Sequence, residues 1–224
     1  YLTAHCCQGQ ACLKTPTMND QTAPAFRPLI GIFEPSAIAQ LADGRLHVVE
    51  DEKEHPLSLV TVGADGSVQT EALTAGLFQM ASPFWKLDDL EGLATDRTGF
   101  VYGITSHSRD DDGDEKKSRE RLVRFRIQGD RVVEPRVVHG LKQALATQHA
   151  VLADAAQVRD VKGCGGLNIE ALEISPDQQH LLNGLRSPLR DGRALIACVE
   201  NPGAVFDSDE TPRIAPLLGE LDLG

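Results

Sequence analysis

Apolar and polar positions alternate in short runs along most of the chain, and glycine-containing turns separate the runs. Residues 32–39 and 46–49 flank Asp43-Gly44, residues 57–62 alternate cleanly, and Asp65-Gly66 leads on to residues 67–73. An Asp-Gly pair between two apolar runs signals a hairpin, because glycine accepts the positive φ that such turns need. The same order returns with residues 90–94, 100–104 and 122–127, a Gly129-Asp130 turn, and a run from Arg131 onward. It returns again with residues 167–174, a Pro176-Asp177 turn, 180–182, 194–199 and a fourth strand expected at 214–218. Three units of four short antiparallel strands predict an all-β chain built from β-propeller blades. Glu34, Glu91 and Glu170 head the three inner strands, 57 and 79 positions apart.

One stretch departs from this pattern. Residues 141–156 are rich in alanine, with Leu141, Leu145 and Leu152 at helical intervals, and predict one helix inserted in the longer second period. Residues 1–28 carry no period and are broken by Pro16 and Pro24, so they read as a leader or linker ahead of a propeller domain at 29–224. Propellers close with about four or more blades, and an open edge leaves backbone groups unpaired. The domain is therefore expected to be a fragment of a longer propeller that lacks further C-terminal blades.

Charge narrows the partners. The formal net charge of −11 over 224 residues disfavours nucleic acid and anionic membranes, whose phosphates need clustered Lys and Arg. No window approaches the ~18 apolar residues of a membrane helix, and no secretion signal is visible. A soluble protein is expected, with the cytoplasm ahead of the periplasm. No protein partner is legible. Cys6, Cys7, Cys12 and His5 crowd the start, where adjacent cysteines are poor zinc ligands, while Cys164 and Cys198 stand alone. Asp110, Asp112 and Asp114 are spaced like the start of a calcium loop, but Arg121 stands where its twelfth-position Glu should be, so a solvated acidic loop is the stronger reading.

In a blade, the start of the inner strand and the loop between the second and third strands lie on one face, beside the channel. This places Asp88, Asp89 and Glu91 near Ser106, His107, Ser108 and Arg109, places Asn168 and Glu170 near Arg186 and Ser187, and places Glu34 near Glu50 and Asp51. Converging carboxylates require an Arg, a shared proton or a hard cation such as calcium, with Glu91 and Glu170 as the metal candidates. His107 titrates near neutrality when unperturbed and is the expected acid or base. The catalytic set is then Glu91, His107, Glu170 and Arg186. The ligand-binding set is Glu34, Asp89, Ser106, Ser108, Arg109, Asn168 and Ser187. For any one Glu, a structural role accepting backbone N–H bonds is an equally good reading.

Several motifs, taken in order, resemble those of an uncharacterised bacterial β-propeller family, domain of unknown function 3616, which is distantly similar to the esterase-like phytase propellers. They are Asp89-Leu90-Glu91-Gly92-Leu93, Gly103-Ile104-Thr105-Ser106-His107-Ser108, Arg121-Leu122-Val123-Arg124-Phe125, Asn168-Ile169-Glu170-Ala171-Leu172, residues 185–192 and Leu221-Asp222-Leu223-Gly224. Ala171 and Ser187 stand where that family tends to have glycine. The resemblance implies the fold and brings no reaction with it. Two functions follow from the residues. One is a channel mouth that binds a small polar or anionic ligand with a divalent cation and hydrolyses an ester or phosphoester. The alternative is a non-catalytic scaffold that binds a ligand or a protein, since fold does not imply function.

Overall fold

A computed structural model describes residues 29–51, 56–75, 82–159 and 165–222. The leader at 1–28, with His5, Cys6, Cys7 and Cys12, lies outside these residues, as does Cys164. The chain is all-β apart from short helices, and its described strands form three four-stranded antiparallel sheets in strict sequence order. The first holds β1 (Pro35–Gln40), β2 (Leu46–Glu50), β3 (Leu57–Val62) and β4 (Val68–Ala72). The second holds β5 (Leu90–Thr95), β6 (Val101–Thr105), β7 (Leu122–Gln128) and β8 (Arg131–Val138). The third holds β9 (Asn168–Ile174), β10 (Leu181–Arg190), β11 (Arg193–Val199) and β12 (Gly219–Leu221). The inner strands stand side by side, β1 against β5 and β5 against β9, as they do in neighbouring propeller blades.

Strand alternation divides the apolar side chains of the middle blade between two cores. Leu90, Leu93, Val101, Val123 and Phe125 pack toward Val49, Leu57 and Leu59 of the first blade. Ala94, Tyr102, Ile104 and Leu122 pack toward Ile169, Leu172, Leu181 and Leu195 of the third. The second and third blades approach tightly at Gly92: a Cβ there would lie 2.7 Å from the Leu172 backbone nitrogen. The expected Asp-Gly hairpins form, with Gly44 at φ +88° and Gly66 at φ +75°. Pro135 sits in β8, the outer edge of its sheet, where a missing N–H costs no ladder bond.

Three elements differ from the sequence expectation. The inserted helix is two, α1 (Leu141–Gln148) and α2 (Ala150–Gln157), because His149 between them is extended at φ −129°, ψ 113° and holds the Ala215 carbonyl at 3.0 Å through Nε2. Their buried Leu141, Leu145 and Leu152 join the core between the second and third blades. In the third blade, β10 runs on to Arg190, so Arg186 and Ser187 lie in a strand rather than in a loop. A short helix, α3 (Pro202–Asp207), intervenes before β12, which moves the fourth strand from the expected 214–218 to Gly219–Leu221. Proline at its first turn suits a helix start, where the N–H has no intrahelical partner. None of the described helices is long and apolar enough to cross a membrane.

Candidate functional site

Each inner strand pairs with its neighbour through a register shift at the same place. The ladder skips Ser36 in β1, Glu91 in β5 and Glu170 in β9. Such a bulge leaves one residue outside the ladder and turns its side chain away from simple alternation. The register also corrects the equivalence read from sequence: Glu34 corresponds to Asp89 and Asn168, while Ser36 corresponds to Glu91 and Glu170. The same backbone bond anchors the head of the first two blades, Asp51 N–H to the Glu34 carbonyl at 3.1 Å and Ser106 N–H to the Asp89 carbonyl at 2.9 Å. A second shift in β10 skips Arg186, whose Nη1 lies 2.9 Å from Glu170 Oε1.

Asp89 is held by several partners at once. Its Oδ2 accepts from the hydroxyls of Ser106 and Ser108, the latter at 3.1 Å, and lies 3.2 Å from Arg119 Nη1. It adopts φ +63°, uncommon for a residue with a side chain, and this places its carboxylate between the serines and the arginine. Arg119 also reaches Asp88, Nε to Oδ2 at 3.4 Å. Glu170 accepts from Asn168 Nδ2 at 3.2 Å and from Arg186.

Glu91 carries the electrostatic consequence. Burial, the charges of Asp89 and Glu170, a hydrogen bond with Asp89 and the charge of Asp51 together push its carboxyl up to about 7. Asp51 is raised by burial and by Asp89, with Arg119 acting against the shift. The Glu170 carboxylate raises Arg186. Six carboxylates, Glu34, Asp51, Asp88, Asp89, Glu91 and Glu170, are therefore linked in one electrostatic cluster with two guanidiniums, Arg119 and Arg186, and Glu91 takes up the excess charge by holding a proton near neutrality.

The structure brings Asp89, Ser106, Ser108, Glu91, Asn168, Glu170 and Arg186 together and directs two expected members elsewhere. His107 is fully buried, its Nδ1 lies 2.8 Å from the Thr105 carbonyl, and burial pushes it down to about 4. Its charged neighbours are Glu120, Lys142 and Arg121, not the carboxylates, so it stands apart from the acid–base chemistry expected of it. Arg109 reaches the Ala156 carbonyl (3.3 Å from Nε) and Glu115 (3.1 Å from Nη2), tying the loop to α2 instead of facing the acids. Ser187 sits beside Asn168 across the ladder, and its hydroxyl oxygen and Asn168 Oδ1 are buried with no hydrogen-bond partner among the described residues.

Among the described residues, no group of three or more His, Cys, Asp or Glu is arranged to hold a metal ion. The calcium-like run is a closed turn, where Asp110 accepts from the Asp112 and Asp114 amides and pairs with Lys116 at 2.9 Å. Sequence reasoning missed Arg119 as the compensating cation. It lies in a single 3-10 turn (Lys117–Arg119) of a polar loop, and no spacing rule ties that turn to Asp88 and Asp89.

No family model and no curated protein matches the chain, so the family resemblance of its motifs has no support from those comparisons. Solved structures match weakly. The holo pyranose dehydrogenase PQQ domain of Coprinopsis cinerea is 13% identical with a TM-score of 0.45, over 78% of this chain and 35% of that one. A protein from Lactobacillus plantarum is 11% identical with a TM-score of 0.36, over 78% and 34%. A protein from Thermus thermophilus described as an oxidoreductase of glucose dehydrogenase type is 15% identical with a TM-score of 0.33, over 87% and 85%. The chain spans about a third of the length of the first two. None of the three is described as a phytase or an esterase, and likenesses this distant bring no chemistry to this chain.

Proposed function

We propose that this propeller binds a small polar ligand at the channel mouth and that the protonation state of Glu91 governs that binding. The observation that carries this reading is the paired bulge, which turns Glu91 and Glu170 out of their ladders into one acidic cluster where Glu91 titrates at about 7. The cluster is dominated by acceptors, with six carboxylates and an Asn168 Oδ1 that has no partner among the described residues, against two guanidiniums already engaged with Asp88, Asp89 and Glu170. A ligand rich in hydroxyl or ammonium donors satisfies that inventory, whereas a bare anion would add to the repulsion.

Hydrolysis of an ester or phosphoester is a narrower reading of the same mouth. It would assign Glu91 as the base that takes a proton from water and Arg186 as the group that stabilises developing negative charge, without His107.

The test titrates polyols and aminopolyols into the protein and follows the amides of Gly92, Ser106 and Ile169. At least one compound is expected to shift them, with an affinity that changes as pH passes through 7 and loses that dependence in Glu91→Gln. A panel that leaves those amides unmoved at every pH sinks the binding proposal. Turnover of ester or phosphoester substrates that disappears in Glu91→Gln would establish the narrower reading.

A further inference from the structure

The opposite face of the blades holds a cavity of about 530 Å³ with a different chemistry. It lies between the β1–β2 turn, through Gln40, Leu41, Ala42 and Asp43, and the β5–β6 turn, through Thr95, Asp96, Arg97 and Gly99, with Arg126 and Ile127 of β7 completing it. That volume falls within the range of small-molecule sites.

Both acids of the cavity are already engaged. Asp96 Oδ1 accepts from the Thr98 amide at 2.9 Å, the Thr98 hydroxyl at 2.8 Å and the Phe100 amide at 2.8 Å, and Tyr102 donates to its Oδ2 at 3.3 Å. Asp43 is paired with Arg45 at 2.7 Å. The two arginines are held in place by their surroundings. Arg97 donates through Nη2 to the Pro176 carbonyl at 3.1 Å and through its amide to Gln178 Oε1 at 2.9 Å, both on the turn of the third blade. Arg126 lies over the Phe100 ring at 3.6 Å, its Nη1 donates to the Thr98 carbonyl, and its Nε lies 3.9 Å from the exposed Glu134 carboxylate, a long pair that an incoming oxyanion can replace. A guanidinium has five donors, so each retains donors beyond these bonds. Leu41, Ala42 and Ile127 add an apolar wall.

We infer that this cavity is a second binding site, for a small organic anion. Its carboxylate or phosphate group pairs with Arg97 and Arg126, and its compact apolar body lies against Leu41 and Ile127. Guanidinium recognises such oxyanions through paired N–H donors, which a lysine cannot reproduce. All three blades contribute, since the turn that fixes Arg97 belongs to the third. The site is therefore complete only when the blades are stacked.

The test titrates benzoate and phenyl phosphate, with benzylamine as the control, into the full chain while amide shifts are followed. Either anion should shift the amides of residues 40–43 and 95–99, and benzylamine should not. Arg97→Gln should weaken binding about tenfold or more, Arg97→Lys should recover only part of it, and Glu91→Gln should leave it unchanged. Binding should also weaken as salt is raised. The inference fails if neither anion moves those amides in the unaltered protein, if benzylamine moves them equally, or if a folded Arg97→Gln protein binds with unchanged affinity. The unaltered protein alone decides the first two outcomes, whatever the variant does to folding. Because Glu91 lies at the other end of β5, failure here leaves the channel-mouth proposal standing.

Discussion

At the scale of single residues, Glu91 makes the sharpest prediction. Its carboxyl is raised from an ordinary 4.5 to about 7, so the folded state holds a proton there that the unfolded state has released. The associated stability is fully present below pH 4.5 and is lost as pH rises through 7. Glu91 is only partly buried, so solvent screening reduces the effect to about 1–2 kcal/mol. Glu91→Gln should therefore stabilise the protein by about that much at pH 8 and change little at pH 4, as read by denaturant unfolding at both pH values. Next to it, Gly92→Ala should cost about 1–3 kcal/mol, because the added Cβ would meet the Leu172 backbone and the Ile104 methyl below 3 Å. Equal melting temperatures for Gly92→Ala and the unaltered protein would refute that tight approach. Much of this site could be read from sequence, since Asp89, Glu91 and Glu170 stand at the heads of predicted strands. The bulges could not be read, because a skipped residue leaves the alternation around it intact. This is why Glu34, and not Ser36, looked like the partner of Glu91.

At the scale of elements, α3 shows what a buried cation does. Arg124 of β7 lies between the rings of Phe100, 4.3 Å away, and Phe206 of α3, 5.0 Å away, while its guanidinium reaches Asp207 at 2.5 Å. The arginine side chain is 9% exposed and the aspartate 62%, so packing and ring stacking outweigh the ion pair. Arg124→Ala is expected to cost about 1–3 kcal/mol and Asp207→Asn less than about 1 kcal/mol in chemical denaturation. The reverse order would show that charge pins the helix. The sequence revealed most strands because their alternation and Asp-Gly turns are local signals. It missed α3, six residues long, and the break at His149, because both depend on distant partners, Arg124 for one and the Ala215 carbonyl for the other.

At the scale of the whole molecule, two buried histidines set the acid limit. Burial lowers His47 and His107 from 6.5 to about 4, with each Nδ1 against a carbonyl, Ser58 for the first and Thr105 for the second. A histidine held neutral in the fold contributes stability above pH 6.5 that is lost as pH falls toward 4, up to about 3 kcal/mol for each. Glu91 acts in the opposite direction above pH 4.5, so stability should peak near pH 6–7. Replacing His107 with Gln should flatten the acid side of that profile, and an unchanged acid limb would contradict its buried, neutral state.

The position of β5 between β1 and β9 also sets how the molecule opens. Among the described residues each blade packs against its sequence neighbours, so the three behave as a short linear array in which the middle member makes two interfaces and each end member makes one. In a protein of these 224 residues alone, either end can peel away at the loss of one interface, whereas the middle cannot open until both are gone. Amide exchange should therefore be slowest in β5, β6 and β7 and should approach the global unfolding free energy there, with earlier exchange in the first and third blades. Glu91, at the start of β5, thus rests on the keystone of the array.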